Sequence, residues 1–241
     1  MNQILVNQKV YVTPKLTRKK IFYKIQFVLS ILVVIILISY YAYGEYDKRK
    51  NAAVGDDLIN DDFANIDPTT ADEEILVVAL NEKARTTEVE QPEPQILEQF
   101  NTVYRTANGT PYMVDSILNI PVLNIKYTVL SDSNNELLKI SLNKFWGGEP
   151  NAIGNYCIVG HNYDGKDIFF GKLHKINNGD VVELQDKTGK IIKYEVYKKY
   201  IVQPDDVACT SQLTNGKKEM TLITCADGGK TRLIVKCTAL E

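Results

Sequence analysis

Two kinds of hydrophobic patterning divide the chain. Between Lys24 and Glu45 there are twenty residues without a charge, IQFVLSILVVIILISYYAYG. From about residue 100 onward, apolar residues instead come in short runs separated by turn signals. At about 1.5 Å per residue, the first run forms a helix roughly 30 Å long, the thickness of a bilayer's hydrocarbon core. A buried core helix rarely runs so far without a polar face. A cleaved signal peptide is the stronger competing reading. However, the run exceeds a usual signal core, and Tyr40, Tyr41 and Tyr43 stand where small cleavage-site residues belong. Those tyrosines suit a membrane–water interface. The pattern therefore predicts an uncleaved signal anchor at residues 25–44.

The short runs predict strands. SILNIPVLNIKYTVL (116–130) divides into two around Pro121, and NYCIVGHN (155–162) is one strand ending at a histidine. DVVELQDKTGKIIKYEVYKKYIV (180–202) is a hairpin through Thr188 and Gly189, and MTLITC and RLIVKC complete the set. NNELLKISLNKF (134–145) reads as a short helix. Many short strands with one or two helices predict a mainly β domain over residues 100–241, a closed or nearly closed barrel or a sandwich.

Charge changes the picture on either side of the anchor. Residues 1–24 hold six basic residues and no acid, against the mixed EYDKRK that follows the apolar run. This asymmetry puts the N-terminal tail in the cytoplasm and the remainder outside. Residues 45–99 carry fifteen acids against five bases, with Pro68, Pro92 and Pro94 as breakers. They predict an acidic flexible stalk, with a short helix over 71–85. Residues 100–241 balance fifteen acids with seventeen bases and show no basic stripe, which excludes a typical nucleic-acid binder.

Chemistry-bearing residues are few. His174 lies in a polar, turn-rich stretch, whereas His161 follows a glycine at the end of an apolar strand. Of the four cysteines, Cys157 and Cys237 sit within apolar runs, where a thiol behaves as a small buried hydrophobe. The spacings of the four, with Cys209 included, match no zinc pattern. Cys225 closes MTLITC just before the loop ADGGKT, and Arg232 follows that loop. If the flanking strands pair antiparallel, the two residues oppose each other with Cβ atoms about 4.5–5.5 Å apart. A guanidinium there favours the thiolate and offers donors to an oxyanion. With His161 as general acid, the three would form a cysteine transferase or hydrolase site. The alternative is that Cys225 and Arg232 are structural residues of a non-catalytic surface-binding module.

TLITC (221–225), the downstream TRLIV (231–235), the GH at a strand end, VQPDDV (202–207) and the anchor–stalk–domain order together resemble the sortase family. The resemblance spans about Ser116 to Cys237. It implies a closed eight-stranded β-barrel and a cysteine transpeptidase that cuts an LPxTG-like sorting signal between Thr and Gly and anchors proteins to the Gram-positive cell envelope. Cys225 would be the thioester-forming nucleophile and His161 the acid and base for the amines. Arg232 would hold substrate carbonyls and the oxyanion, and Val207, Thr221 and Ile223 would line the apolar substrate groove. The implied partners are secreted proteins bearing a sorting signal and an amine acceptor on a peptidoglycan precursor or surface protein. The features favour the A or D classes. No cofactor is expected. Calcium modulation, seen in some members, has only Asp205, Asp206 and Glu149 as candidates by residue type. A hydrolase releasing the peptide to water is the enzymatic alternative.

Overall fold

Residues 14–62, 97–163 and 166–240 are described from a computed structural model of the chain. The chain divides into two compact units at Arg49–Lys50. Helix α1 (Pro14–Asp57) carries the apolar run in its part within the first unit, and its last residues belong to the second. It is a helix long and apolar enough to cross a membrane, and the apolar window is unburied. The helix for 71–85 and most of the proposed stalk lie outside the described residues.

The start of the expected stalk is not a loose linker. Helix α1 continues to Asp57 and a π-helical turn follows at Leu58–Asp62. Ala52, Leu58 and Ile59 are buried against barrel side chains. At Gly55 a Cβ would lie 2.2 Å from the carbonyl oxygen of Ile140, so only glycine permits that approach. These four positions form a stripe at spacings of three to four residues, the period of one helix face. The surrounding acids conceal this stripe in the sequence.

A short helix α2 (Glu98–Asn101) and a two-stranded ribbon, β1 (Tyr104–Arg105) with β2 (Pro111–Tyr112), precede the barrel. The barrel strands are β3 (Val114–Ile120), β4 (Ile125–Leu130), β5 (Leu142–Trp146), β6 (Gly154–Val159), β7 (Val181–Gln185), β8 (Ile191–Val202), β9 (Lys218–Ala226) and β10 (Thr231–Ala239). They close in the order β10-β8-β7-β3-β4-β5-β6-β9. The pairs β4–β5 and β6–β9 are parallel, and the rest are antiparallel. This is the mainly β, closed eight-stranded barrel expected.

Leu118, Ile120, Val129, Leu142, Ile158, Val182, Leu184, Leu222 and Val235 fill the interior with no exposed surface. Each such burial stabilises the fold by roughly 1.5–3 kcal/mol. Residues 134–145 do not form the expected helix. The Asn134 side chain accepts from the amides of Glu136 and Leu137, both at 2.9 Å, and supports one 3₁₀ turn over Leu137–Lys139. Leu142 then pairs with Val129, so strand pairing with β4 overrides the local helical preference.

Strands β6, β9 and β10 are covered on both faces. Met220 and Leu222, like Leu233, Val235 and Cys237, point into the main core. Their alternate neighbours Ile223 and Ile234 join Cys157 and Cys209 in a second cluster on the outer face. Covering both faces explains why these strands read as nearly continuous apolar runs rather than alternating ones.

Candidate active site

The outer face of β6, β9, β10 and β8 forms a grid set by strand register. In one row, Cys225 opposes Arg232, and Arg232 opposes Val202. The next row holds Val159, Ile223, Ile234 and Tyr200, and the third holds Cys157, Thr221, Lys236 and Lys198. His161 lies two residues past Val159, so its segment continues β6 alongside the first row.

Three hydrogen bonds lock that segment to the cysteine strand. The Gly160 amide donates to the Ile223 carbonyl (3.1 Å), the Thr224 hydroxyl to the Gly160 carbonyl (2.7 Å), and Asn162 Nδ2 to the Cys225 carbonyl (2.8 Å). On its other side, the His161 carbonyl accepts from the Phe170 amide at 3.1 Å. A Cβ at Gly160 would come within 2.5 Å of Leu142 Cδ2 and 2.8 Å of Phe170 Cδ2. The glycine before the histidine is thus a packing requirement, since only a bare Cα lets the histidine segment turn over the core.

The β9–β10 hairpin is reversed by three consecutive residues with positive φ, Asp227 (49°), Gly228 (63°) and Gly229 (92°). Glycine adopts this region without a Cβ penalty. Asp227 gains a bond as its carboxylate accepts from the Thr231 hydroxyl at 2.8 Å. The turn in turn steadies Arg232, whose Nη1 donates to the carbonyls of Gly229 and Thr231, both at 2.9 Å. The three remaining N–H groups, on Nε and Nη2, have no hydrogen-bond acceptor among the described residues. They form a fixed fork of donors beside the thiol.

Cys225, Arg232 and His161 are each half-buried, hence reachable from solvent. Burial lowers the His161 pKa, with Lys139 adding a smaller push in the same direction. The Tyr163 ring packs beside the imidazole, with centroids 5.4 Å apart. The other three thiols are unsuited to nucleophilic work. Burial pushes Cys157 up to about 12 and raises Cys209 and Cys237 as well. All four cysteines are free.

The expected groove residues separate. Val207 is 61% exposed at the edge of the β8–β9 loop. Ile223 lies one row from Cys225 and is nearly covered. Thr221 is fully buried, its hydroxyl held by Asn155 Oδ1 (2.6 Å) and Lys236 Nζ (2.9 Å), so it presents no surface to a ligand. The calcium candidates are apart in their bonding. Asp206 accepts from the Ala208 amide at 3.0 Å, and Glu149 lies 3.6 Å from the Lys187 ammonium. Among the described residues no three His, Cys, Asp or Glu side chains form a metal-binding group. Asn162 and Lys236 were missed from sequence. The available signals were a polar residue beside the histidine and a lone charge inside an apolar run.

Comparison with known proteins gives a family and a fold. The Sortase domain family model matches residues 118–240. The Bacillus subtilis (strain 168) protein "Putative sortase YwpE" is 40% identical over 85 residues, covering 34% of this chain and 80% of that protein. Among solved structures, Corynebacterium diphtheriae sortase A is similar in fold. Its lid mutant gives a TM-score of 0.50 at 21% identity, over 56% of this chain and 74% of that one. A second structure of the same enzyme also gives 0.50, at 19% identity over 61% and 76%. With the family model spanning half the sequence and the barrel matching in architecture, the chain belongs to the sortase family, whose members are cysteine transpeptidases.

Proposed function

We propose that the protein is a membrane-anchored transpeptidase that cleaves an LPxTG-like sorting signal between Thr and Gly and passes the acyl group to a cell-wall amine. The observation that carries this reading is the register that opposes Cys225 to Arg232, with the His161 segment bonded to the cysteine strand on its other side.

In the reaction, the Cys225 thiolate attacks the scissile threonine carbonyl. The carbonyl oxygen becomes an oxyanion beside the N–H fork of Arg232. Collapse of this intermediate breaks the C–N bond. His161, carrying the proton lost from the thiol, gives it to the leaving glycine amine and leaves a thioester on Cys225. An incoming amine attacks the thioester, gives a proton to His161, and expels the thiolate, which regenerates the enzyme. The lowered His161 pKa favours the neutral imidazole.

The apolar helix supports a single-pass anchor with the N-terminus inside and the catalytic barrel outside. Secreted proteins bearing the signal would reach the site there, and the acceptor amine would come from a peptidoglycan precursor or surface protein. The test supplies the full chain in detergent micelles with an LPxTG-type peptide and an amine acceptor. Acyl transfer to the amine should occur and should vanish in Cys225→Ala. Transfer by that variant, or release of the peptide to water alone despite excess amine, would contradict the proposal.

A further inference from the structure

Lys236 is a charged residue buried between two apolar neighbours of β10. A buried ammonium costs several kcal/mol unless its partners compensate. An ammonium has three N–H donors, and here two of them donate, to Thr221 Oγ1 at 2.9 Å and the Cys209 carbonyl at 3.2 Å. The Glu219 carboxylate, 3.4 Å away, balances the charge as an ion pair. A methionine would fill such a site without the desolvation cost, so the charge has to be explained by what it holds.

It holds the loop between β8 and β9. The Cys209 carbonyl, in the 3₁₀ turn Ala208–Thr210, faces polar groups from three neighbouring strands. Asn155 Nδ2 of β6 donates to it at 2.9 Å and Lys236 Nζ of β10 at 3.2 Å, while Thr221 Oγ1 of β9 lies 3.3 Å away with its own proton given to Asn155 Oδ1 at 2.6 Å. Asn155 extends the fastening along the loop. Its Nδ2 also donates to the Ser211 carbonyl (3.1 Å), and its backbone exchanges two bonds with the Gln212 amide, at 3.0 and 2.9 Å. By contrast, the hydrogen bonds of Gln203–Val207 are local, such as Asp206 N to the Gln203 carbonyl at 3.1 Å and Thr210 N to the Val207 carbonyl at 3.0 Å.

The result is a wall across the outer face. The Cys209 side chain is pressed onto Ile223 and Ile234, the row next to the Cys225–Arg232 pair. Rows lie two residues apart, about 6.6–6.8 Å, so the third row is about 13 Å from the first. An extended peptide covers that distance with about four residues.

Building on the proposed transpeptidase function, we propose that Asn155, Thr221 and Lys236 form a clasp that fixes the 208–212 segment as the end wall of the donor-peptide groove. They thereby act as positioning residues that set donor affinity and confine recognition to a short apolar motif next to the scissile bond. None of them touches the reacting atoms.

The test compares the full chain in detergent micelles with its Lys236→Met, Thr221→Val and Thr221→Ser variants. Steady-state transfer from an LPxTG-type peptide to glycinamide is measured. Lys236→Met and Thr221→Val should raise the donor KM at least tenfold and change kcat less than threefold. The KM for glycinamide should stay within twofold. Thr221→Ser keeps the hydroxyl and should recover a low donor KM, which a role in methyl packing would not do. Hydrogen exchange without substrate should quicken at residues 208–212 in Lys236→Met and Thr221→Val, while β9 and β10 amides keep their protection. A donor KM within twofold of wild type in both variants overturns the clasp. So does a kcat loss at unchanged KM, or exchange that rises equally through β9 and β10. If the unmodified chain transfers no acyl group, the functional reading fails, and the exchange measurement alone decides whether the clasp exists.

Discussion

Replacing Arg232 tests the division of labour within the site. Nη1 is committed to the carbonyls of Gly229 and Thr231, which leaves three N–H groups for a substrate oxygen. Loss of one preorganised oxyanion donor typically costs about 2.7–4 kcal/mol, or roughly 10²–10³ in kcat. Arg232→Ala should therefore lower kcat by at least about a hundredfold. Arg232→Lys is the sharper variant. If its ammonium keeps both carbonyl bonds, one N–H is left to face the oxyanion; if it turns to the substrate, the tether is lost. A loss of at least about tenfold is expected for Lys, although the charge is unchanged. The assay is steady-state transfer from a fluorogenic LPxTG-type peptide, run in parallel with iodoacetamide alkylation of Cys225. Alkylation needs the thiolate and no oxyanion. In Arg232→Lys, which keeps the positive charge beside the thiol, it should stay within a few-fold of wild type while transfer falls. Arg232→Lys turnover within threefold of wild type would refute the fork argument and reduce the role of Arg232 to its charge.

Other expectations follow from packing and titration. Gly160→Ala places a methyl group against Leu142 and Phe170, which should cost about 1–3 kcal/mol of stability by urea unfolding and depress transfer by displacing His161. A stability equal to wild type would contradict the close packing. The His161 pKa is lower in the folded protein than the usual 6.5, so the unfolded chain binds the proton more readily. This contribution to stability is intact above pH 6.5 and is lost as pH falls through 6.5 toward the folded value. His161→Gln should remove that part of the acid-side decline, and an unchanged pH profile would show that His161 does not contribute to it.

The strand pairing at the candidate site could be read from sequence because its logic is local. The hairpin between Cys225 and Arg232 is fixed by two adjacent apolar runs and an Asp-Gly-Gly turn, so the pairing follows from a six-residue loop. The two strands around Pro121 and the hairpin through Gly189 were legible for the same reason. What escaped depended on contacts remote in sequence. The Leu137–Lys139 turn gives way to β5 because Leu142 meets Val129 on another strand. Ala52, Gly55, Leu58 and Ile59 look like part of an acidic stalk until the barrel supplies the surface they bury against. Thr221 sits at the right distance from Cys225 to line a groove, yet the loop bearing Cys209 seals it, and no spacing rule reports a loop folding back.

The central claim is that Cys225 carries the acyl group. The full chain, incubated with an LPxTG-type peptide in the absence of any amine acceptor and quenched in acid, should gain the mass of the peptide's acyl portion up to threonine. Fragmentation should locate that mass on Cys225, and hydroxylamine should remove it. An adduct on Cys157, Cys209 or Cys237, or turnover of the peptide with no adduct that survives quenching and none trapped by hydroxylamine, would contradict the account.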